Sequence, residues 1–176
     1  MISDKPYTSI PYEALNRPPG YPVIEDYPAL LFYIQRNQNH NTVVYELNYK
    51  SGALLDLNEP MLIHWLRFEN GRFVEKQPLN YIQKKLAYGY KPKVISSDLI
   101  AFEMVSYDEI RFFLGKDKHN RYRVYFVDNG INIILKSVYI YAEDLGVFPQ
   151  VKWAELSGEV VDSGAYFYKK IVFEDQ

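Results

Sequence analysis

The chain contains no cysteine, which excludes disulfides, thiolate catalysis and cysteine-ligated zinc or iron–sulfur chemistry together. Net charge is small too: 20 Lys and Arg against 22 Asp and Glu leave a formal net charge of −2. A chain so balanced carries no global field to draw in a polyanion, and no nucleic-acid partner is expected. Long apolar runs are missing too. The longest, residues 27–34, falls far short of the ~20 residues that a membrane helix needs. No basic start followed by an apolar core opens the chain, so neither a leader nor a membrane association is expected, and the location is cytoplasmic if the N-terminus is native. Glycine is sparse and scattered, at positions 20, 52, 71, 89, 115, 130, 146, 158 and 164. A phosphate-cradling loop needs clustered glycines, so neither a P-loop nor a dinucleotide fingerprint exists here. There is no G-x-S-x-G elbow and no H-E-x-x-H helix. His40, His64 and His119 stand too far apart for a local metal motif. No catalytic residue, metal site or cofactor is therefore assigned.

Aromatic residues are abundant instead, with 17 tyrosines and 10 phenylalanines. That composition favours strands and supplies amphipathic contact surface. Proline is concentrated at one end: Pro6, Pro11, Pro18, Pro19, Pro22 and Pro28 precede the first regular pattern. Proline fixes φ and donates no hydrogen bond, so residues 1–28 read as an extended arm, apolar enough to dock on the domain or on a partner. Residues 29–176 read as a single β domain.

The domain opens on two runs of alternating polarity. Leu30, Phe32 and Ile34 alternate with Leu31, Tyr33 and Gln35, and Val43, Tyr45, Leu47 and Tyr49 follow the polar cluster at 37–41. Period-two patterning means strands, and the asparagine-rich stretch between them predicts a hairpin with a longer loop. The first strand is apolar on nearly both faces, as a covered central strand should be; residues 61–69 read the same way. Asn70-Gly71 and Asn129-Gly130 predict tight hairpins. Further strands are expected over 99–107, 110–114, 121–127, 131–141, 151–161 and 165–173, with Asp108-Glu109 taken as a turn. One segment changes period: Leu79, Ile82 and Leu86 share a helical face, Pro78 suits a first turn, and Gly89 and Pro92 close it. The pattern predicts a helix over about 79–88, a candidate cover for the central strands. The fold expected is mainly β, an antiparallel β-sandwich or partly closed barrel of about nine strands with one short α-helix.

Candidate site residues are weighed against plainer roles. His64, flanked on its own face by Leu62 and Leu66, fits a core histidine as well as a ligand. Trp65 fits core packing or an apolar pocket wall. Lys84, Lys85, Lys91 and Lys93 would make an anion-binding patch near Tyr88 and Tyr90 if they met Lys116, Lys118, Arg121 and Arg123, with solvated faces as the plainer reading, and Arg36 enters as a member of a site assembled from distant strands. Adjacent carboxylates such as Asp108-Glu109 point to opposite faces of a strand and make poor acid–base pairs. These five residues, Arg36, His64, Trp65, Lys84 and Tyr88, form the ligand-binding expectation.

The strings FYIQRNQNHNTVVYELN (32–48), PLNYIQKKLAYGYK (78–91), FLGKDKHNRYRVYF (113–126) and LKSVYIYA (135–142) resemble an uncharacterised bacterial domain family catalogued as a domain of unknown function. The resemblance spans about residues 30–175 and implies no reaction, cofactor, ligand or site residue. The residues themselves favour a non-enzymatic binding or protein-interaction module, with a protein partner or homo-oligomer engaged through the N-terminal arm. The alternatives are a barrel-like pocket for a small apolar ligand, lined by His64, Trp65 and tyrosines, or an enzyme with a site assembled from distant strands, involving Arg36, His64 and Lys84.

Overall fold

The computed structural model describes residues 20–144 and 149–173, and the part of the proline-rich arm before residue 20 lies outside them. The chain is mainly β, with strands β1 Leu30–Arg36, β2 Asn39–Leu47, β3 Tyr49–Ser51, β4 Leu54–Leu55, β5 Met61–Glu69, β6 Arg72–Pro78, β7 Tyr90–Ser96, β8 Leu99–Met104, β9 Tyr107–Lys116, β10 Tyr122–Asp128, β11 Ile131–Asp144, β12 Pro149–Val160 and β13 Tyr166–Val172. A short helical turn, α1 Tyr81–Gln83, runs on into a π turn, Lys84–Tyr88, between β6 and β7. Eleven strands share one curled sheet, while β3 and β4 form a separate ribbon.

The sheet turns on β11. Its Ile133 and Ile134 pair with β10 on one edge and β12 on the other. Its Ser137 to Ile140 pair with β1 and again with β12. A strand has only two edges, so β10 and β1 divide one of them between the two halves of β11. The sheet forks there into a lobe β1-β2-β5-β6 and a lobe β10-β9-β8-β7, with β12 and β13 continuing from the opposite edge. The β1–β11 pairing is parallel and every other pairing is antiparallel. The result is a mostly antiparallel half-barrel, matching the expectation of a partly closed barrel.

Two tyrosines join the lobes. Tyr45, on β2, is fully buried and donates its hydroxyl to the Tyr88 carbonyl at 2.6 Å. A buried phenol without a partner would be costly, so this bond fixes where the helical segment ends. Tyr90, on β7, donates to the Met61 carbonyl and accepts from the Met61 amide, each at 2.8 Å. A file of rings, Tyr90, Phe102, Phe112, Phe126 and Phe167, lines the interior at centroid spacings of 5.4–5.7 Å, within the range favoured by aromatic pairs. Tyr107 on β9 and Phe173, just beyond β13, meet edge to face at 5.6 Å. These strands lie four apart along the hydrogen-bonded path, so their contact shows how strongly the sheet curls.

Four local expectations need correction. The polar cluster at 37–41 is not a longer loop: only Asn37 and Gln38 lie outside the strands, and a register irregularity in β2 absorbs the rest. Asp108 and Glu109 sit within β9, because Met104 pairs with Tyr107 and leaves Val105-Ser106 as the turn. Pro78 ends β6 rather than opening the helix, which Asn80 caps through a reciprocal pair of hydrogen bonds with Gln83. The helical face is also different. Leu79 is buried, but Ile82 and Leu86 are 66% and 69% exposed, whereas Tyr88 turns inward. The Asn-Gly hairpins form as read, with positive φ at Asn70, Gly71, Asn129 and Gly130.

Candidate functional site

The inner face of the half-barrel holds a cavity of about 370 Å³. Two cross-strand rows build much of its wall. One is Ile34–Val138–Leu156, across β1, β11 and β12; the next is Ile140–Ala154–Ile171, across β11, β12 and β13. Phe32, Leu135 and Phe112 add apolar wall from β1, β11 and β9. Side chains of paired residues project from the same face of a sheet, so these aliphatic rows follow from strand register alone. Among the described residues, polar lining comes only from Ser106, Tyr107 and Gln150. All three stand at one end, where β9 and β12 begin and β13 finishes. The cavity has apolar walls and a mouth with hydrogen-bonding capacity, the usual constitution of a small-molecule site.

Arg36 heads the second row. It pairs with Ile140, and Ile140 with Ala154, so the Arg36 side chain leaves the sheet beside the cavity wall. Its guanidinium carbon lies 5.0 Å from the centroid of the Trp65 ring, and that of Arg67 lies 5.3 Å from the same ring. Trp65 is only 2% exposed, packs edge to face on Tyr88 at 5.4 Å, and donates its indole N–H to Gln83 Oε1 at 3.2 Å. Burial pushes the Tyr88 hydroxyl pKa up, with the Arg36 charge pulling the other way. Arg67 Nε donates to Gln77 Oε1 at 3.0 Å, whereas Arg36 Nε is buried with no hydrogen-bond partner. Among the described residues, neither arginine has a carboxylate at ion-pairing distance.

Three of the five expected ligand-binding residues, Arg36, Trp65 and Tyr88, thus gather in one cluster. Lys84 begins the π turn and is not part of that cluster. His64 faces the other side of β5, in a separate polar cluster centred on Glu46. There the Glu46 carboxylate accepts from Tyr27 OH at 2.8 Å, from Lys76 Nζ at 2.8 Å and pairs with His64 Nδ1 at 2.9 Å. Burial works against ionisation of Glu46, but the Lys76 and Tyr27 hydrogen bonds and the Lys76 and His64 charges outweigh it and hold its pKa below the usual carboxylate value. None of the five lines the cavity. Sequence reasoning passed over the wall itself, since residues such as Val138, Ala154 and Ile171 are ordinary strand aliphatics until register brings them together.

The described end of the arm folds back on the same chain. Tyr21 packs on His40 at 4.6 Å and on Tyr139 at 5.9 Å, and Gln35 Nε2 donates to the Pro22 carbonyl at 3.0 Å. Asp26 pairs with Arg121 at 2.6 Å. These contacts occupy the sheet face opposite the cavity. Trp153 is engaged as well, stacked on Tyr141 at 3.9 Å with Lys170 Nζ 4.3 Å from its centroid. Among the described residues, no cluster of three or more His, Asp or Glu side chains could hold a metal, and no helix is long and apolar enough to cross a membrane.

Fold and site together define a mainly-β half-barrel domain built around an apolar cavity. The chain belongs to the family described as a domain of unknown function, DUF4833, which matches residues 32–170. No curated protein and no solved structure matches it.

Proposed function

We propose that this domain binds a small, predominantly apolar ligand in the half-barrel cavity. The observation that carries the reading is the cavity of about 370 Å³, inside the range of roughly 300–1,000 Å³ typical of small-molecule sites. A packed interior leaves few voids larger than a water molecule, so an aliphatic cavity of this size is an investment that core stability does not require. Among the described residues its polar lining is restricted to the mouth, and no charged side chain interrupts the wall. An apolar body can be buried there at roughly 25 cal/mol per Å² removed from water. Native mass spectrometry of the untagged protein, as purified and after incubation with excess dodecan-1-ol, tests it. A retained mass that leaves on denaturation is the expected result. A bare chain under both conditions overturns the reading.

A second reading keeps the domain as a protein-interaction module. It is favoured by Tyr81, Ile82 and Leu86, which are 66–74% exposed on one short helical segment. Three large apolar side chains so close together exceed the scattered exposure ordinary for a surface. A concentration-dependent oligomer, lost on replacing Ile82 and Leu86 by serine, would favour this reading.

A further inference from the structure

The geometry points to an anionic head on the ligand: we infer that the cavity takes an amphiphile whose carboxylate is held at the Arg36 end, beside Trp65. The inference rests on the apolar-ligand reading above and specifies the chemistry of that ligand. It begins with register. Arg36 continues, on the same face of the sheet, the row whose next members, Ile140, Ala154 and Ile171, are cavity wall. Two residues back along β1, Ile34 is wall too. A cation therefore stands beside a cavity whose described lining carries no charge.

Among the described residues that cation has no carboxylate partner, and its side-chain hydrogen bond runs to the Tyr88 phenol. Two other arginines at the sheet are neutralised, Arg121 by Asp26 at 2.6 Å and Arg123 by Asp117 at 3.3 Å. Arg36 and Arg67 instead share the face or edge of one buried indole, with no carboxylate partner for either among the described residues. A π face offsets part of a guanidinium's lost hydration but accepts none of its hydrogen bonds in full. Arg36 Nε, buried and unpartnered, is the donor left over. Buried donors are nearly always satisfied, and each exception calls for a reason. An oxyanion supplies one, because planar guanidinium and carboxylate match in geometry and charge.

The neighbourhood is suited to it. The Tyr88 side chain lies within electrostatic reach of Arg36. The next residue, Gly89, accepts from the amide of Val105 at 2.9 Å, and Val105 precedes Ser106, one of the polar residues of the cavity mouth. The π turn, the mouth and Arg36 thus meet at one end of the half-barrel. An apolar chain in the cavity with its charged end here would leave its polar group near solvent and its methylenes buried. The same charge that attracts a carboxylate would repel an ammonium head, so the site discriminates by sign.

A chain-matched series tests the inference by calorimetry on the full-length protein: dodecanoate, dodecan-1-ol and dodecyltrimethylammonium. The expected order is carboxylate tightest, then alcohol, then ammonium, with about ten-fold or more between the first two. Arg36→Gln should erase that preference while leaving alcohol affinity within about two-fold, which also shows that the cavity survives the substitution. Alcohol and carboxylate binding equally, or the ammonium binding as tightly as either, overturns the anionic head and leaves the apolar cavity reading standing. A carboxylate preference that persists undiminished in Arg36→Gln overturns the assignment to Arg36. If none of the three binds, the cavity reading fails and this inference with it. Should Arg36→Gln not fold, the wild-type order alone decides.

Discussion

Gly89 shows how one residue can fix the geometry of a site. A Cβ added there would stand 1.9 Å from the Lys84 carbonyl oxygen, an atom of the backbone that cannot swing away. The π turn closes on this contact, and it sets Tyr88 and the rim beside Arg36. Gly89→Ala is expected to cost more than about 2 kcal/mol of stability, the scale of enforced backbone strain; urea denaturation checks it. Glu46 is the other position whose loss should be conspicuous, and its signature lies in pH. Its folded pKa is depressed by Lys76 and Tyr27 despite burial. The unfolded chain therefore takes up this proton at a higher pH than the folded one does. The stabilisation is complete above the unfolded carboxyl pKa of about 4.3 and fades as pH falls through the folded value. Glu46→Gln should lower stability at pH 7 by about 1–3 kcal/mol and flatten the loss of stability between roughly pH 5 and pH 3. Denaturation midpoints across that range would show it. A mutant with the same acid slope as the wild type would show that other carboxylates, such as Asp26 and Asp117, carry the effect.

At the scale of elements, the helical segment is the instructive case. Ile82 and Leu86 fall at α-helical spacing with Leu79, yet only Leu79 is buried. The segment has a single α turn before a π turn takes over, and a π turn spaces its side chains differently, so the expected stripe dissolves. What places the segment is side-chain bonding: Asn80 to Gln83, Gln83 to Trp65 and the Tyr88 carbonyl to Tyr45. Replacing Ile82 and Leu86 together by serine should leave stability in urea denaturation nearly unchanged, within about 0.5 kcal/mol, because neither side chain is buried. A marked loss of stability would mean that the face is covered in solution. The strands were legible where local chemistry suffices: period-two alternation marked β1, β2 and β5, and Asn-Gly marked two hairpins. Arg36, Trp65 and Tyr88 were singled out by residue type and do come together. The cavity wall was not legible, because Val138, Ala154 and Ile171 acquire meaning only through which strand lies beside which. The parallel β1–β11 pairing that decides this joins residues more than a hundred positions apart.

For the whole molecule, the question is what the forked sheet gains by leaving its centre unfilled. β10 and β1 share one edge of β11, and the cavity is bounded by β1, β9, β11, β12 and β13. Elsewhere the interior is tightly filled by rings, so the void is local and falls where the smallest wall residue, Ala154, lies between Ile140 and Ile171. A larger side chain at 154 should enter free space rather than collide. Ala154→Leu is therefore expected to keep or raise stability, by up to about 1 kcal/mol, while abolishing ligand retention in native mass spectrometry. The two readouts separate the possible origins of the cavity. If substitution stabilises the fold and removes the ligand, the space is held open at a cost for binding. If it destabilises by about 1–3 kcal/mol, the overpacking range, the wall is closed in solution and the apolar-ligand reading loses its foundation.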